Sequence, residues 1–279
     1  MSEIEGPRRC AVLGSPISHS LSPVIHRAAY RHLGLDWHYG AHDVGESALA
    51  GFLATRGADW RGLSLTMPLK RVALELADEA TNIARTVGAA NTLLRGHDGR
   101  WAADNTDVAG VVATLSERQA DTSGSVCVWG GGATAASVLA ALASMGTGAV
   151  HVHARSEQRA AAALAVAEAL GQPAAPVAWA VNERCHEAAT TICTAPAGAV
   201  DPWVAEIAAR PQGRLLFDVV YAPWPTPLAA AWAAGHGAVA GGLDLLVHQA
   251  VEQVRLMTGS HVPADVLRAA AAAAMDART

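Results

Sequence analysis

Between Ser125 and Gly146 the chain reads SVCVWGGGATAASVLAALASMG: an apolar run of strand character, three consecutive glycines, and an alanine-rich helical run closed by a glycine. A strand that turns through glycine straight into a helix is the opening half of a βαβ crossover, so it commits its segment to a parallel α/β layer. Glycine in that turn also lets the backbone approach a pyrophosphate, which then rests on the free N–H groups of the helix start. Three glycines alone also serve ordinary tight turns; their placement between a strand and a helix is what predicts a dinucleotide site. Its members would be Gly130, Gly131 and Gly132, with Ala133, Thr134 and Ala135 opening the helix. The next apolar run, AVHVHA, leads into Ala154, Arg155 and Ser156, where an NAD site usually carries Asp or Glu. Arg155, with Arg159 one helical turn further on, suits a ribose 2′-phosphate and predicts NADP, although Glu157 close by works against that charge.

The alternation of strand and helix runs along most of the chain. Up to about residue 108, CAVL, WHYGAHDV and LSLT alternate with helical stretches at 23–33, 47–56 and 69–77, which predicts a parallel sheet. NTLLRGHDGRWAADN departs from this, with two β-like runs around GHDG that predict a hairpin. The polar stretch SERQADTSGS, 116–125, marks a candidate domain boundary, and a second series follows it: SVCVW, AVHVHA, TTICT, RLLFDVV and GAVA, with helices at 134–145 and 157–170 between them. Helical segments at 243–257 and 263–275 close the chain, and either cap the second domain or return to the first.

With 279 residues, 51% of them apolar, there is material for two buried cores. A net charge of −5 and the lack of any Lys/Arg cluster exclude an electrostatic footprint for nucleic acid or an anionic membrane and leave a small molecule as the expected partner. Cys10, Cys127, Cys185 and Cys193 are scattered with no C-x-x-C spacing, so they read as buried free thiols in a reducing compartment, and no metal site is expected. The start MSEIEGPRR lacks the apolar stretch of a signal peptide and no membrane-length apolar run occurs, so a cytoplasmic protein is expected.

Taken together and in order, GSPISHSLSP, LSLTMPLK, GAANTL, DNTD, GGGATAAS, CTAP, DVVYAPWPTPL and GGLDLLVHQA resemble the shikimate dehydrogenase family over nearly the whole chain. The resemblance implies a two-domain α/β enzyme, with a substrate domain at 1–108 plus 245–279 and a Rossmann-type NADP domain at 109–244. It implies the NADPH-dependent reduction of 3-dehydroshikimate to shikimate on the route to aromatic amino acids, by a monomer or homodimer. A quinate/shikimate or aminoshikimate dehydrogenase would keep the same catalytic pair. A metabolite sensor on the same scaffold would be expected to have lost it.

The resemblance also distributes roles. Ser20 and Ser22 would hold the substrate carboxylate; Ser22 followed by Pro23 also reads as an N-cap with proline at the first helical position. His19 and His26 read as structural polar residues, without a carboxylate cluster near them. Reduction of a ketone needs a donor at the oxygen where charge develops, and the resemblance gives this to Lys70, a residue type that at a helix start is otherwise commonly a solvated side chain. Asp107, the second acid of DNTD, would be its partner, with Asp104 structural. Thr66, Asn91 and Gln249 would bond the ring hydroxyls, with Tyr221 beside them, and Thr194, Val219 and Gly242 would line the cofactor. Two departures stand out: Ser64 replaces the asparagine of many relatives, which puts substrate discrimination there in doubt, and Ala133 replaces a glycine, which would constrain the approach of a phosphate.

Overall fold

The structure, a computed structural model, describes residues 6–277; the charged start MSEIE, part of the stretch read above for a signal peptide, lies outside them. The chain divides into two compact units, one of residues 6–106 with 246–277 and the other of residues 107–245. The polar stretch 116–125 is therefore no boundary. It is the turn between the helix Thr106–Glu117 and the next strand, and it is tied down by Thr190 Oγ1 donating to the Asp121 carbonyl at 2.7 Å. Its polarity reflects a solvated turn within a unit.

In the first unit, strands β1 (Arg9–Gly14), β2 (His38–Asp43), β3 (Trp60–Leu65), β4 (Glu79–Ala80), β5 (Thr92–Arg95) and β6 (Trp101–Asp104) form one sheet in the order β2-β1-β3-β5-β6-β4. The parallel sheet anticipated from alternation holds for the pairs β1–β2, β1–β3 and β4–β6, and only β5 runs against the rest. β5 runs antiparallel to both β3 and β6, because the hairpin around GHDG reverses the chain inside the sheet. Leu13, Leu49, Leu63, Leu69 and Leu93 fill the core. The C-terminal helices belong to this unit: Arg61 donates to the carbonyl of Met257 at 2.9 Å, and Gly62 leaves the room that the Met257 side chain occupies.

In the second unit, β7 (Val126–Trp129), β8 (Val150–His153), β9 (Ala174–Val177), β10 (Thr190–Cys193), β11 (Leu215–Asp218) and β12 (Ala238–Gly241) are all parallel, in the order β12-β11-β10-β7-β8-β9. This is the doubly wound order, whose direction reverses between β7 and β10. β9 escapes the pattern reading because its sequence, AAPV, carries a proline, which a sheet accepts only at its edge. The helix Ala133–Ser144 is buried from Ala135 to Leu142, its small side chains letting it lie close on the sheet. Among the described residues no helix is long and apolar enough to cross a membrane.

Candidate active site

In the first unit, strand register alone gathers most of the expected substrate residues. Leu13 pairs with Leu65, Ser64 with Thr92, and Thr92 with Asp104. β1 and β3 therefore end, β5 begins and β6 ends on one edge of the sheet. The serine loop after β1, Thr66 to Lys70 after β3, Asn91 before β5 and Thr106 after β6 all leave from that edge.

Backbone bonds then fix the loops. The Thr66 N–H donates to Leu13 O at 3.0 Å, Leu65 N–H to Asn91 O at 2.7 Å, and Ala90 N–H to Lys70 O at 2.7 Å. Gly14 is required where it stands, since a Cβ there would lie 2.4 Å from Thr66 Cγ2. Lys70 is half-buried at the first position of the helix Lys70–Leu76. Asn91, buried, donates from Nδ2 to Thr106 Oγ1 at 2.9 Å and to Gln249 Oε1 at 3.4 Å, while its Oδ1 accepts the Thr106 N–H at 2.8 Å. Thr66, Lys70, Asn91 and Gln249 are thus brought together. Ser20 and Ser22 share the same sheet edge without hydrogen bonds into that group.

The expected cap is corrected by the geometry. The helix Ser22–His32 starts at Ser22 itself, whose side chain makes no cap; instead the Ser22 N–H donates to Ser20 Oγ at 3.2 Å. Pro23 then stands one place inside the helix. Ser20 does the local work because its hydroxyl lies two residues back, in the turn that a serine side chain closes.

Sequence reasoning missed Gln253, the hub beneath the site. Its Nε2 donates to Asn91 O at 3.1 Å and Thr92 Oγ1 at 3.0 Å, and its Oε1 accepts from Ser64 Oγ at 2.7 Å and from His26 Nε2 at 3.2 Å. Tyr39 donates to Ser64 at 2.5 Å and stacks on His26 with ring centroids 4.0 Å apart. Ser64 is therefore absorbed in this internal chain, and the short side chain suits it. Burial keeps the His26 imidazole neutral, with its pKa lowered to about 3. The available signal was spacing: Gln249 and Gln253 are one helical turn apart and share a helix face.

Asp107 follows Thr106 directly, buried in the first turn of the helix Thr106–Glu117, and groups with the second unit, as does the partly exposed Tyr221 in the turn after β11. Asp104 accepts from Thr81 Oγ1 at 2.8 Å and from the Asn105 N–H at 2.7 Å, a purely architectural assignment.

In the second unit one row of the sheet gathers the expected cofactor residues. Trp129 is in register with His153 and Cys193, Cys193 with Asp218, and Asp218 with Gly241. The residues that follow this row are Gly130, Ala154, Thr194, Val219 and Gly242. Ligands of doubly wound sheets bind at these C-terminal strand ends, at the point where the strand order reverses.

The glycines divide the work. Gly130 has φ +122° and a Cβ there would lie 2.3 Å from Thr194 Oγ1, while a Cβ on Gly131 would lie 2.4 Å from Arg159 O. Gly132, the N-cap of the helix Ala133–Ser144, has nothing within 4 Å of where its Cβ would be. That open space sits at the helix N-terminus, where Ala133 and Thr134 follow and Ala133 is exposed, so the turn keeps room for a phosphate despite the alanine.

Ser156 is spoken for as the N-cap of the helix Glu157–Ala169, accepting from the Arg159 N–H at 3.4 Å. Arg155 is exposed, with its guanidinium 5.4 Å from the Trp179 ring centroid. Both border a cavity of about 360 Å³ lined also by Ala154, Pro176, Val177 and Trp179. Trp179 was not foreseen, since nothing in its neighbourhood of sequence announces it. Asp218, buried at the end of β11, accepts from Thr226 Oγ1 at 2.7 Å and the Val220 N–H at 3.2 Å and so shapes the loop carrying Val219; burial raises its pKa.

Comparison with known proteins places this geometry. Residues 12–93 match the family model described as the shikimate dehydrogenase substrate binding domain, and residues 242–272 match the shikimate 5′-dehydrogenase C-terminal domain. A shikimate dehydrogenase (NADP(+)) of Thermus thermophilus is 37% identical over 254 residues, covering 90% of this chain and 92% of that protein. The crystal structure of Mycobacterium tuberculosis shikimate dehydrogenase superposes with a TM-score of 0.87 at 39% identity, covering 96% of this chain and all of that one. That of a Thermus thermophilus shikimate 5-dehydrogenase in complex with NADP(H) and shikimate gives 0.85 at 35% identity, covering 96% of this chain and 99% of the other.

Proposed function

The chain belongs to the shikimate dehydrogenase family, and from that premise we propose that it catalyses the reversible NADPH-dependent reduction of 3-dehydroshikimate to shikimate on the route to aromatic amino acids. The observation that carries the reading is the single sheet edge from which the serine loop, Thr66, Lys70, Asn91 and Thr106 all emerge. We assign it to the cytoplasm, where four free thiols stay reduced, as a monomer or homodimer.

Roles follow from donor and acceptor chemistry. Ser20 and Ser22 donate to the substrate carboxylate at the start of the helix Ser22–His32, whose dipole favours an anion. Asn91, Gln249 and Thr66 orient the ring hydroxyls, and Tyr221 is assigned to the substrate as well. The Asn91 side chain is held by Thr106 and Gln249 and its carbonyl by Gln253, so it needs no reordering when substrate arrives. Lys70 donates to the carbonyl oxygen as negative charge accumulates on it and supplies the proton of the new hydroxyl. Asp107 is the second member of the catalytic pair and accepts from a substrate hydroxyl.

The residues of the second unit fit NADP. The open space over Gly132 would admit the pyrophosphate, Arg155 and Arg159 would meet the 2′-phosphate, and Thr194, Val219 and Gly242 would line the cofactor. When bound, the cofactor supplies the hydride.

The test is nicotinamide oxidation followed with 3-dehydroshikimate and 3-dehydroquinate, each with NADPH and NADH. Turnover is expected to be fastest with NADPH and 3-dehydroshikimate. Shikimate binding without turnover would turn the assignment towards a sensor. Arg155→Ala is expected to raise KM for NADPH by about 10- to 100-fold and to leave NADH nearly unchanged, as for a lost charge-assisted bond of about 1.5–3 kcal/mol; equal losses would remove Arg155 from the 2′-phosphate.

A further inference from the structure

Three residues far apart in sequence converge inside the second unit. Cys127 comes from β7, His153 from the end of β8, and Cys185 from the short helix Glu183–Glu187. Their side-chain ligand atoms all lie within 4.8 Å of one another, and all three residues are buried. The Cys185 Sγ to His153 Nε2 distance is 3.2 Å. On the other side of the imidazole, Nδ1 donates to the Ala178 carbonyl at 3.0 Å, which leaves the Nε2 lone pair facing the sulfurs. Trp129 stacks on the same ring, with centroids 4.2 Å apart, and holds its plane.

We propose that Cys127, His153 and Cys185 form a binding site for one thiophilic divalent ion, Zn²⁺ by the chemistry of the donor set. Two sulfurs and one imidazole disfavour the hard oxygen-seeking cations and match zinc in tetrahedral coordination. Zinc bonds of about 2.3 Å to sulfur and about 2.0–2.1 Å to nitrogen at the tetrahedral angle put S and N about 3.6 Å apart, so the 3.2 Å pair opens by only a few tenths of an ångström to admit the ion. A metal-ligating histidine characteristically donates its other ring N–H to a carbonyl, as His153 does. Asn182 Oδ1, 3.6 Å from Cys185 Sγ, is within reach as a fourth donor.

The Arg214 guanidinium donates to the Cys185, Ala188 and Arg210 carbonyls, and its charge favours anionic sulfur at both cysteines. On binding, two S–Zn bonds and one N–Zn bond form, no electron is transferred, and the thiol protons pass to the buffer. The ion would tie β7, β8 and the Asn182–Cys185 turn together below the residues that carry Gly130 and Arg155. The cysteines are 58 residues apart, which is why spacing gave no hint of the site.

The experiment uses the full chain, reduced, treated with a chelator and desalted, then titrated with Co²⁺. Saturation at one equivalent is expected, with a sulfur-to-cobalt charge-transfer band, tetrahedral visible bands and quenching of tryptophan fluorescence, all reversed by Zn²⁺. Cys127→Ser and Cys185→Ser are each expected to weaken Zn²⁺ by at least about tenfold in chelator competition, the floor set by the loss of even an outer-shell partner; Cys10→Ser leaves it unchanged. Weak octahedral cobalt bands alone would overturn the proposal, as would a charge-transfer band that survives the double Cys127→Ser/Cys185→Ser substitution. Should those variants not fold, alkylation of the wild-type chain in moderate urea decides: Zn²⁺ protects Cys127 and Cys185 but not Cys193, and equal labelling with and without Zn²⁺ contradicts the site.

Discussion

The two units present polar surfaces at the C-terminal edges of their sheets, but they build them from different materials. In the first unit the surface is made of side chains: Asn91, Gln249, Thr106 and, beneath them, Ser64, Thr92, Gln253 and His26, joined by hydrogen bonds in the protein interior. In the second it is made mostly of backbone, with glycine at three successive positions, a helix start with open space above it, and strand ends in one register row. A side-chain surface specifies a ligand by which groups it offers, and loses a partner with every substitution. A backbone surface depends on where the chain can come close, and it is broken chiefly by added bulk. The first kind suits a small hydroxylated acid, the second a pyrophosphate.

The largest effect that would sharpen this contrast belongs to the serine loop. The Ser20→Ala/Ser22→Ala double variant is expected to raise KM for the acid by about two decades, taking about 1.5 kcal/mol for each lost bond to a charged group. Steady-state kinetics checks it. An unchanged KM would return the loop to a plain turn, in which Ser20 does no more than close onto the Ser22 N–H.

Next come the glycines. At Gly131 a Cβ would meet the backbone of Arg159 at 2.4 Å, so Gly131→Ala is expected to cost about 1–3 kcal/mol of stability in urea denaturation, as other overpacked sites do. Gly132→Ala meets nothing of the protein within 4 Å, so its stability is expected to hold while NADPH affinity falls. Equal stability losses in the two would break the claim that one glycine serves packing and the other the ligand.

The smallest effect tests the side-chain network through pH. Burial lowers the His26 pKa to about 3 in the folded chain, against an ordinary value of 6.5. Between those values the unfolded chain takes up a proton that the folded chain refuses, so stability is full above about pH 6.5 and is lost as pH falls. From pH 7 to pH 5 this group alone removes about 2 kcal/mol. Urea titrations at the two pH values should show a steeper loss in the wild-type chain than in His26→Gln; parallel losses would mean that the ring is not held neutral by burial.

The same contrast explains what could be read in the sequence. The strand, glycine turn and helix of the second unit are local, so that turn, the helix after it and five of the unit's six strands were legible from pattern alone. Thr194, Val219 and Gly242 were not, because what unites them is a register row across three strands. In the first unit nothing local marks Asn91, Thr66 or Gln249 as a group, and only the family motifs pointed to them. The Ser22 cap was misassigned because the helix starts one residue earlier than Pro23 suggests, and β4 and β9 were missed because two residues in one case and an edge proline in the other leave no periodicity to find. Gln253 and the cysteine–histidine cluster depend on contacts between distant segments, which a linear pattern does not record.

If Lys70 acts where charge develops on the substrate oxygen, the direct measurement is kcat and KM for a folded Lys70→Ala protein with 3-dehydroshikimate and NADPH. An interaction made chiefly in the transition state shows itself in kcat, so a fall of at least about two decades, or roughly 2.7 kcal/mol, is predicted, with KM changed only a few-fold. If Asp107 is its catalytic partner as proposed, adding Asp107→Ala to it should cost little more than the larger single defect. A folded Lys70→Ala enzyme that keeps near-normal kcat would contradict the account.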